Sequence, residues 1–271
     1  MIYAEKRQSH ESMDLEERIE TYWNRRSANF SRVRRHELEG PDGRLWLELL
    51  ERHLPQGESL RILDAGTGAG FFAILLAGKG HRVTGIDMSE DMLREAKKNM
   101  MAAGCRAEFR KMSAQKPDFP DGVFDAIVSR NLTWTLPDVM EAYREWYRLL
   151  KPGGMLLNFD ADWGRVTFSK TADQANVHAD IEDDLIAECN AIKDGLRITT
   201  HRRPAWDIHF LESLGFSVEH EENITPFVHQ DGNFHYDEVP LFAIYGRKSS
   251  GDISGRGQIK GDKVDYSTAI R

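Results

Sequence analysis

The chain has 271 residues, 40% of them hydrophobic and 30% charged, with 36 Lys+Arg against 44 Asp+Glu and a net charge of -8. That length suffices for one large domain or two small ones with a real core, and the acidic excess would repel the phosphates of an extended nucleic acid. Cys105 and Cys189, the only cysteines, make neither a disulfide framework nor a zinc site, and no apolar run approaches the ~18 residues of a membrane span.

Residues 1–13 are polar, carry no apolar signal core and are expected to be loose, with a cytoplasmic location as the default. From residue 14 to about 30, Leu15, Ile19, Tyr22 and Trp23 fall on one face of a helix. A second helix is predicted over 43–53, with Leu45, Trp46, Leu49 and Leu50 at helical spacing, and Pro55-Gln56-Gly57 breaks it. A regular alternation follows. A strand at 60–63 runs into Asp64 and a glycine loop, and 71–77 reads as a buried helix. A strand at 82–86 ends in Asp87, and Ser89 can cap a helix to about residue 103. Strands are predicted at 107–110 and 124–129, the second apolar enough to be buried on both faces. Pro137 opens a helix to about residue 150, Lys151-Pro152-Gly153-Gly154 ends it, and 155–159 is a fifth strand.

Residues 164–205 leave this rhythm. The stretch is polar, holds a predicted helix near 180–192, and reads as an insertion over the mouth of the site. A helix at 207–214 and closing strands at 216–219 and 241–245 follow. The spacing predicts an α/β fold with a doubly wound, mostly parallel sheet of seven strands. An N-terminal helical lid would occupy 1–57, the core 58–248 with the insertion at 164–205, and a flexible tail 249–271.

The loop Asp64-Ala65-Gly66-Thr67-Gly68-Ala69-Gly70 lies between a strand and a helix. Glycines there permit a tight turn and close approach of backbone to ligand, and the helix start offers free N–H groups to an anion. A dinucleotide fingerprint needs a sixth-position glycine, and Phe71 stands there instead. The acid two residues before Gly66 suits an ammonium group better than a pyrophosphate. Asp87, at the end of the next strand, is placed to accept both hydroxyls of a ribose.

RILDAGTGAG, VTGIDMS, FPDGVFDAIVSRN and RLLKPGG, in that order, resemble the class I S-adenosylmethionine (SAM)-dependent methyltransferases, near the small-molecule, ubiquinone-pathway-like branch. The resemblance covers about residues 58–160 and implies a Rossmann-like methyltransferase fold with SAM as cofactor. It implies that Gly66, Thr67, Gly68 and Gly70 line the methionine part of SAM, with Asp64 beneath the loop near the amino group. Asp87 would hold the ribose, Met88 would cover adenine, and Ser113 and Ala114 would border its edge. Arg130 and Asn131 would meet the methionine end and the substrate, with Trp134 as a wall or as core. Tyr22, Trp23, Arg26 and Phe30 resemble the aromatic pattern of family lids, so Tyr22 and Phe30 would close over the cofactor.

Methyl transfer is an in-line displacement, in which the protein supplies mainly alignment and a dry site. A general base, if used, is expected at Asp160 or Asp162 after the fifth strand, or at His178, with His201 and His209 behind them. No His or Cys spacing suggests a metal, and the stretch SRNLTWTL lacks the D/N-P-P-Y/F element of amino-methylating DNA enzymes. The expected partner is a small-molecule acceptor, with no nucleic acid and no membrane, and the oligomeric state is left open. The alternative readings are a SAM-binding sensor or scaffold without methyl transfer, and a nicotinamide-dependent oxidoreductase.

Overall fold

The computed structural model describes residues 2–250 except 174, 234 and 237, with side chains described from residue 15 onward. The first helix, α1 (Ile2–Glu39), is 38 residues long and includes the stretch expected to be loose. Ala, Glu, Lys, Arg and Gln are strong helix formers, and no Gly or Pro interrupts the chain before Gly40-Pro41. Pro41 then opens α2 (Pro41–His53), where its missing N–H costs nothing.

Five parallel strands follow: β1 (Arg61–Ala65), β2 (Arg82–Asp87), β3 (Glu108–Lys111), β4 (Phe124–Arg130) and β5 (Leu150–Ala161). Helices α3 (Phe71–Gly78), α4 (Glu90–Ala102) and α5 (Val139–Leu149) connect them, except that a loop joins β3 to β4. After β5 come α6 (Asp183–Gly195), α7 (Ala205–Ser213), β6 (Phe216–Glu221), α8 (Thr225–Val228) and β7 (Leu241–Lys248). The seven strands form one sheet in the order β3-β2-β1-β4-β5-β7-β6, with β7 antiparallel to both neighbours. This is the doubly wound α/β fold that the spacing predicts. β5 begins at Leu150, five residues before the predicted start at 155, across an irregularity in its pairing with β4.

The pleat sorts the core into two layers. Leu63, Ala65 and Ile127 face one side with α5, α6 and α7, while Ile62, Ala126 and Val128 face the other with α2 and α3. The order reverses at β1, between β2 and β4, so the loops after those strands open a crevice at one edge of the sheet.

Two sets of charges hold α1 and the segment between β5 and α7. On α1, Arg18 pairs with Glu188, Arg25 with Glu182 and Asp184, and Arg32 with Asp180. Those arginines recur every seven residues and so share one face, turned toward α6 and its approach. Deeper, Arg203 donates to Asp207 at 2.8 and 2.9 Å, to Thr133 at 2.6 Å and to Asp160 at 3.3 Å. This buried network pins the end of the insertion to β5 and the loop after β4. Among the described residues, no helix is long and apolar enough to cross a membrane. From residue 251 on, the expected tail lies outside the described residues.

Candidate functional site

The glycine loop is braced from below. Asp64 is 2% exposed and accepts from Thr67 Oγ1 at 2.6 Å and from the Ala73 amide at 3.1 Å. It therefore lies beneath the loop, as expected, and ties it to α3; it does not itself line the crevice where an amino group would sit. Thr67 likewise turns inward, and Gly70 caps α3 at φ +87° against Ala96 of α4, where a Cβ would lie 3.2 Å from that residue. Gly66 and Gly68 are the loop residues that edge the crevice. At Gly66, φ is +67° and a Cβ would lie 2.7 Å from Leu132, so only glycine fits there.

Burial raises the Asp64 carboxyl to about 7, against the lowering effect of its bonds from Thr67 and Ala73. Its ordinary value is 3.8, so the folded state holds this proton more tightly than the unfolded chain. Stability from this group is full below about pH 4 and is lost as pH rises through about 7. Asp64→Asn is expected to flatten that part of the curve of melting temperature against pH. An unchanged slope would rule the assignment out.

Asp87 stands at the end of β2. Its two oxygens accept from the amides of Gly68 and Ser89, each at 2.9 Å. Each carboxylate oxygen has a further lone pair, and the group edges the crevice. Burial raises it to about 6, opposed by those backbone bonds. Met88 and Met112 supply flat apolar walls, and Ser113 and Ala114 lie beside them. The Ala114 carbonyl accepts from Trp146 Nε1 at 2.9 Å, while Ser113 Oγ accepts from the Gln115 amide at 3.3 Å and keeps its own proton to donate.

The helix α1 roofs the crevice, which has a volume of about 60 Å³. Phe30 packs over Gly68, and Trp23 sits between Tyr22 and Phe30 with ring centroids at 5.1 and 5.6 Å. Tyr22, expected to close over the cofactor, instead faces a second, larger cavity; one residue on, Trp23 turns about 100° and borders both. Glu16 and Gln115 also line the crevice and were not singled out by sequence, and Ile19, read only as part of a helix face, lines it too. Gln115 gave no periodic signal; it bonds Glu16 at 2.7 Å and the Asp138 amide at 2.5 Å.

The second cavity holds about 860 Å³ and lies between α1, the insertion and the segment before β7. Trp23, Phe30, Arg130 and Asn131 line both spaces. Asn131 has a left-handed φ of +53°, donates its amide to Phe159, and leaves Oδ1 buried without a partner. Arg130 makes a two-bond clamp on Glu37 at 2.9 and 3.0 Å and lies 4.2 Å from the Trp46 ring centre. Glu37 is fully buried and also accepts from Arg34 at 2.5 Å and Tyr236 at 2.9 Å. Burial pushes Glu37 up, but Arg130 and Arg34 outweigh it and hold the carboxyl well below the usual range.

The expected bases separate. His178 lines the large cavity and lies 3.5 Å from Arg26. Asp160 is fully buried and committed to Arg203, Thr133 and the Trp134 amide, so it does not reach either space. Asp162 approaches the Arg203 amide at 3.4 Å and Arg165 at 3.5 Å, outside both linings. His201 stacks on Trp206 at 4.6 Å, and His209 is exposed; neither lines a cavity. Among the described residues, no group of three or more His, Cys, Asp or Glu is arranged to hold a metal ion.

Residues 62–154 match the family model described as "Methyltransferase domain". This segment of the chain is similar to class I SAM-dependent methyltransferase domains. The domain is 40% identical over 116 residues to the Bacillus subtilis protein YqeM, covering 41% of this chain and 46% of the relative. It is 33% identical over 97 residues to the ubiquinone biosynthesis O-methyltransferase of Pseudomonas aeruginosa, covering 35% and 42%. The matched segment thus spans less than half the length of these curated relatives. Phosphoethanolamine N-methyltransferase 2 of Haemonchus contortus, solved with S-adenosyl-L-methionine, shares the fold at a TM-score of 0.55 and 20% identity, covering 75% of this chain and 52% of that one. The cofactor of such a domain is SAM, and the crevice has the groups to take it: a two-oxygen acceptor at Asp87, thioether walls, a glycine edge and the unpartnered Oδ1 of Asn131.

Proposed function

We propose that this chain transfers the methyl group of SAM to a small-molecule acceptor held in the 860 Å³ cavity. One observation carries the reading: the cofactor crevice and the large cavity share Trp23, Phe30, Arg130 and Asn131 as a common wall. Two bound molecules would meet only there. When bound, SAM supplies an electrophilic methyl for in-line displacement. Asp87 would hold the ribose hydroxyls, Met88 and Met112 the adenine faces, and Asn131 Oδ1 the ammonium group. Trp23 and Phe30 would exclude water and align the acceptor, and such alignment is worth on the order of 7–11 kcal/mol.

The crevice is far smaller than the 300 Å³ or more typical of ligand pockets. Admission of cofactor therefore needs the crevice to widen, and a shift of α1, four of whose side chains line it, would serve, in keeping with a lid role for residues 1–57. The similarity to a ubiquinone biosynthesis O-methyltransferase favours an organic acceptor over a nucleic acid, and the acidic excess agrees. The reading is tested by incubating the protein with SAM and a set of phenols, acids, amines and thiols, and measuring S-adenosylhomocysteine with methylated product. Stoichiometric appearance of the two is the expected result. Tight SAM binding with no turnover across all four acceptor classes would reassign the chain as a sensor.

A further inference from the structure

The large cavity has two chemically distinct ends, and cofactor binding accounts for neither. One end is cationic. Arg26, Arg34 and Arg130 line it, and the buried carboxylate of Glu37 bonds the last two. Among the described contacts, the guanidinium groups of Arg34 and Arg130 thus share the one carboxylate of Glu37. His229 adds no charge, because burial and Arg130 push it down to about 3. Asp42 lies behind Tyr236, 3.5 Å from its hydroxyl, and does not line the cavity. Among the described residues, the acids that line it are Asp173 and Glu238; both are exposed, and Asp173 is paired with His235 at 2.5 Å. Nε of Arg34 and of Arg130 and Nδ1 of His229 are buried without hydrogen-bond partners.

The other end is aromatic. Trp134, Trp163 and Phe168 form a triangle with ring centroids 5.8 to 6.1 Å apart, and Ile186 and Cys189 lie beside it. A surplus of buried positive charge is costly until an anion offsets it. The terminal nitrogens of Arg130 are already engaged by Glu37, so a carboxylate would be met at Nε of Arg34 and Arg130, with charge-assisted bonds a neutral amide cannot equal. Aromatic walls favour a flat or apolar body, and the volume exceeds what a single-ring acid fills.

Resting on the methyltransferase reading above, we propose that the acceptor is an amphipathic carboxylate, its anionic end at Arg34 and Arg130 and its apolar body against Trp134, Trp163 and Phe168.

Calorimetric titration in the presence of S-adenosylhomocysteine tests this. The probes are cinnamate, 2-naphthoate, indole-3-propionate and octanoate, each beside its primary amide and the matching amine. At least one acid is expected to bind with a Kd below about 1 mM, about tenfold or more tighter than its amide. Arg34→Gln is expected to remove that preference while S-adenosylhomocysteine still binds, since Arg34 does not line the crevice. If that variant does not fold, the acid–amide comparison on the unaltered protein decides alone. The proposal is overturned if amides or amines bind as well as acids, if no acid binds while S-adenosylhomocysteine does, or if Arg34→Gln keeps the preference. Failure of the protein to bind S-adenosylhomocysteine at all would instead remove the methyltransferase reading, and the proposal with it.

Discussion

Replacing Arg203 with methionine is expected to cost about 3–5 kcal/mol of stability, the usual penalty for breaking one side of a buried ion pair. The side chain is 2% exposed and makes four hydrogen bonds, to Asp160, Asp207 and Thr133. Methionine would fill much of the volume, so the loss is one of charge and bonds rather than of packing. Two fully buried carboxylates would be left facing each other with their cation gone. Asp207 would keep the Tyr143 hydroxyl at 2.7 Å, and Asp160 the Thr133 hydroxyl at 2.5 Å. For a domain of this size the melting temperature would fall by about 10 °C.

The deficit also has a pH signature. Burial already raises Asp160, against the lowering pull of Arg203. Without that pull the carboxyl rises further and takes up a proton in the folded state. A raised acid gives stability that is present at low pH and lost as pH rises. The variant should therefore lie nearest the unaltered protein in acid and fall behind it toward neutrality. Thermal melts at a series of pH values measure both effects; a loss below about 1 kcal/mol would mean that the network is dispensable.

Asp87→Ala is expected to weaken SAM binding by about a hundredfold or more. Hydrogen bonds to a charged group are worth about 1.5–3 kcal/mol each, and the ribose would offer two. Alanine would also release the amides of Gly68 and Ser89, so the loop edge and the cap of α4 would lose a shared anchor. The charged carboxylate is the form that accepts two hydroxyls, and the group sits at about 6 in the folded protein. Affinity is therefore expected to rise as pH increases through 6, with a proton released on binding. Asp87→Asn should bind more weakly and without that dependence. Calorimetry at several pH values, in buffers of different ionisation heat, reads affinity and proton release together. Full affinity in Asp87→Ala would reject the ribose assignment.

The sheet was legible because parallel strands buried on both faces leave short apolar runs, and 124–129 is such a run. Asp64 and Asp87 could be placed at strand ends for the same reason. Their different tasks could not be. Asp64 points under the loop and Asp87 points out, a difference set by Thr67 and Gly68 in a turn without periodicity. Tyr22 and Trp23 share a helix face in the sequence, but a cavity edge divides neighbours about 100° apart. In the sequence Asp160 reads as a candidate base after the fifth strand, and its partner Arg203 lies 43 positions away, where no local pattern points to it. Arg130 and Glu37 are separated by 93 positions. The large cavity was hardest to foresee, since α1 meets there the segments 163–181 and 225–241, whose side chains repeat at no fixed interval.

The arginine stripe on α1 has a consequence for kinetics. Arg18, Arg25 and Arg32 meet acids from the insertion across a surface open to solvent. Contacts of that kind weaken as the Debye length shrinks from about 10 Å at 0.1 M salt to about 3 Å at 1 M. If the roof must lift for every exchange of cofactor, residence time becomes a function of ionic strength. S-adenosylhomocysteine should leave faster in concentrated sodium chloride, and the same salt should leave the buried Arg130–Glu37 clamp in place. The helix would thus behave as a hinged cover on an electrostatic catch.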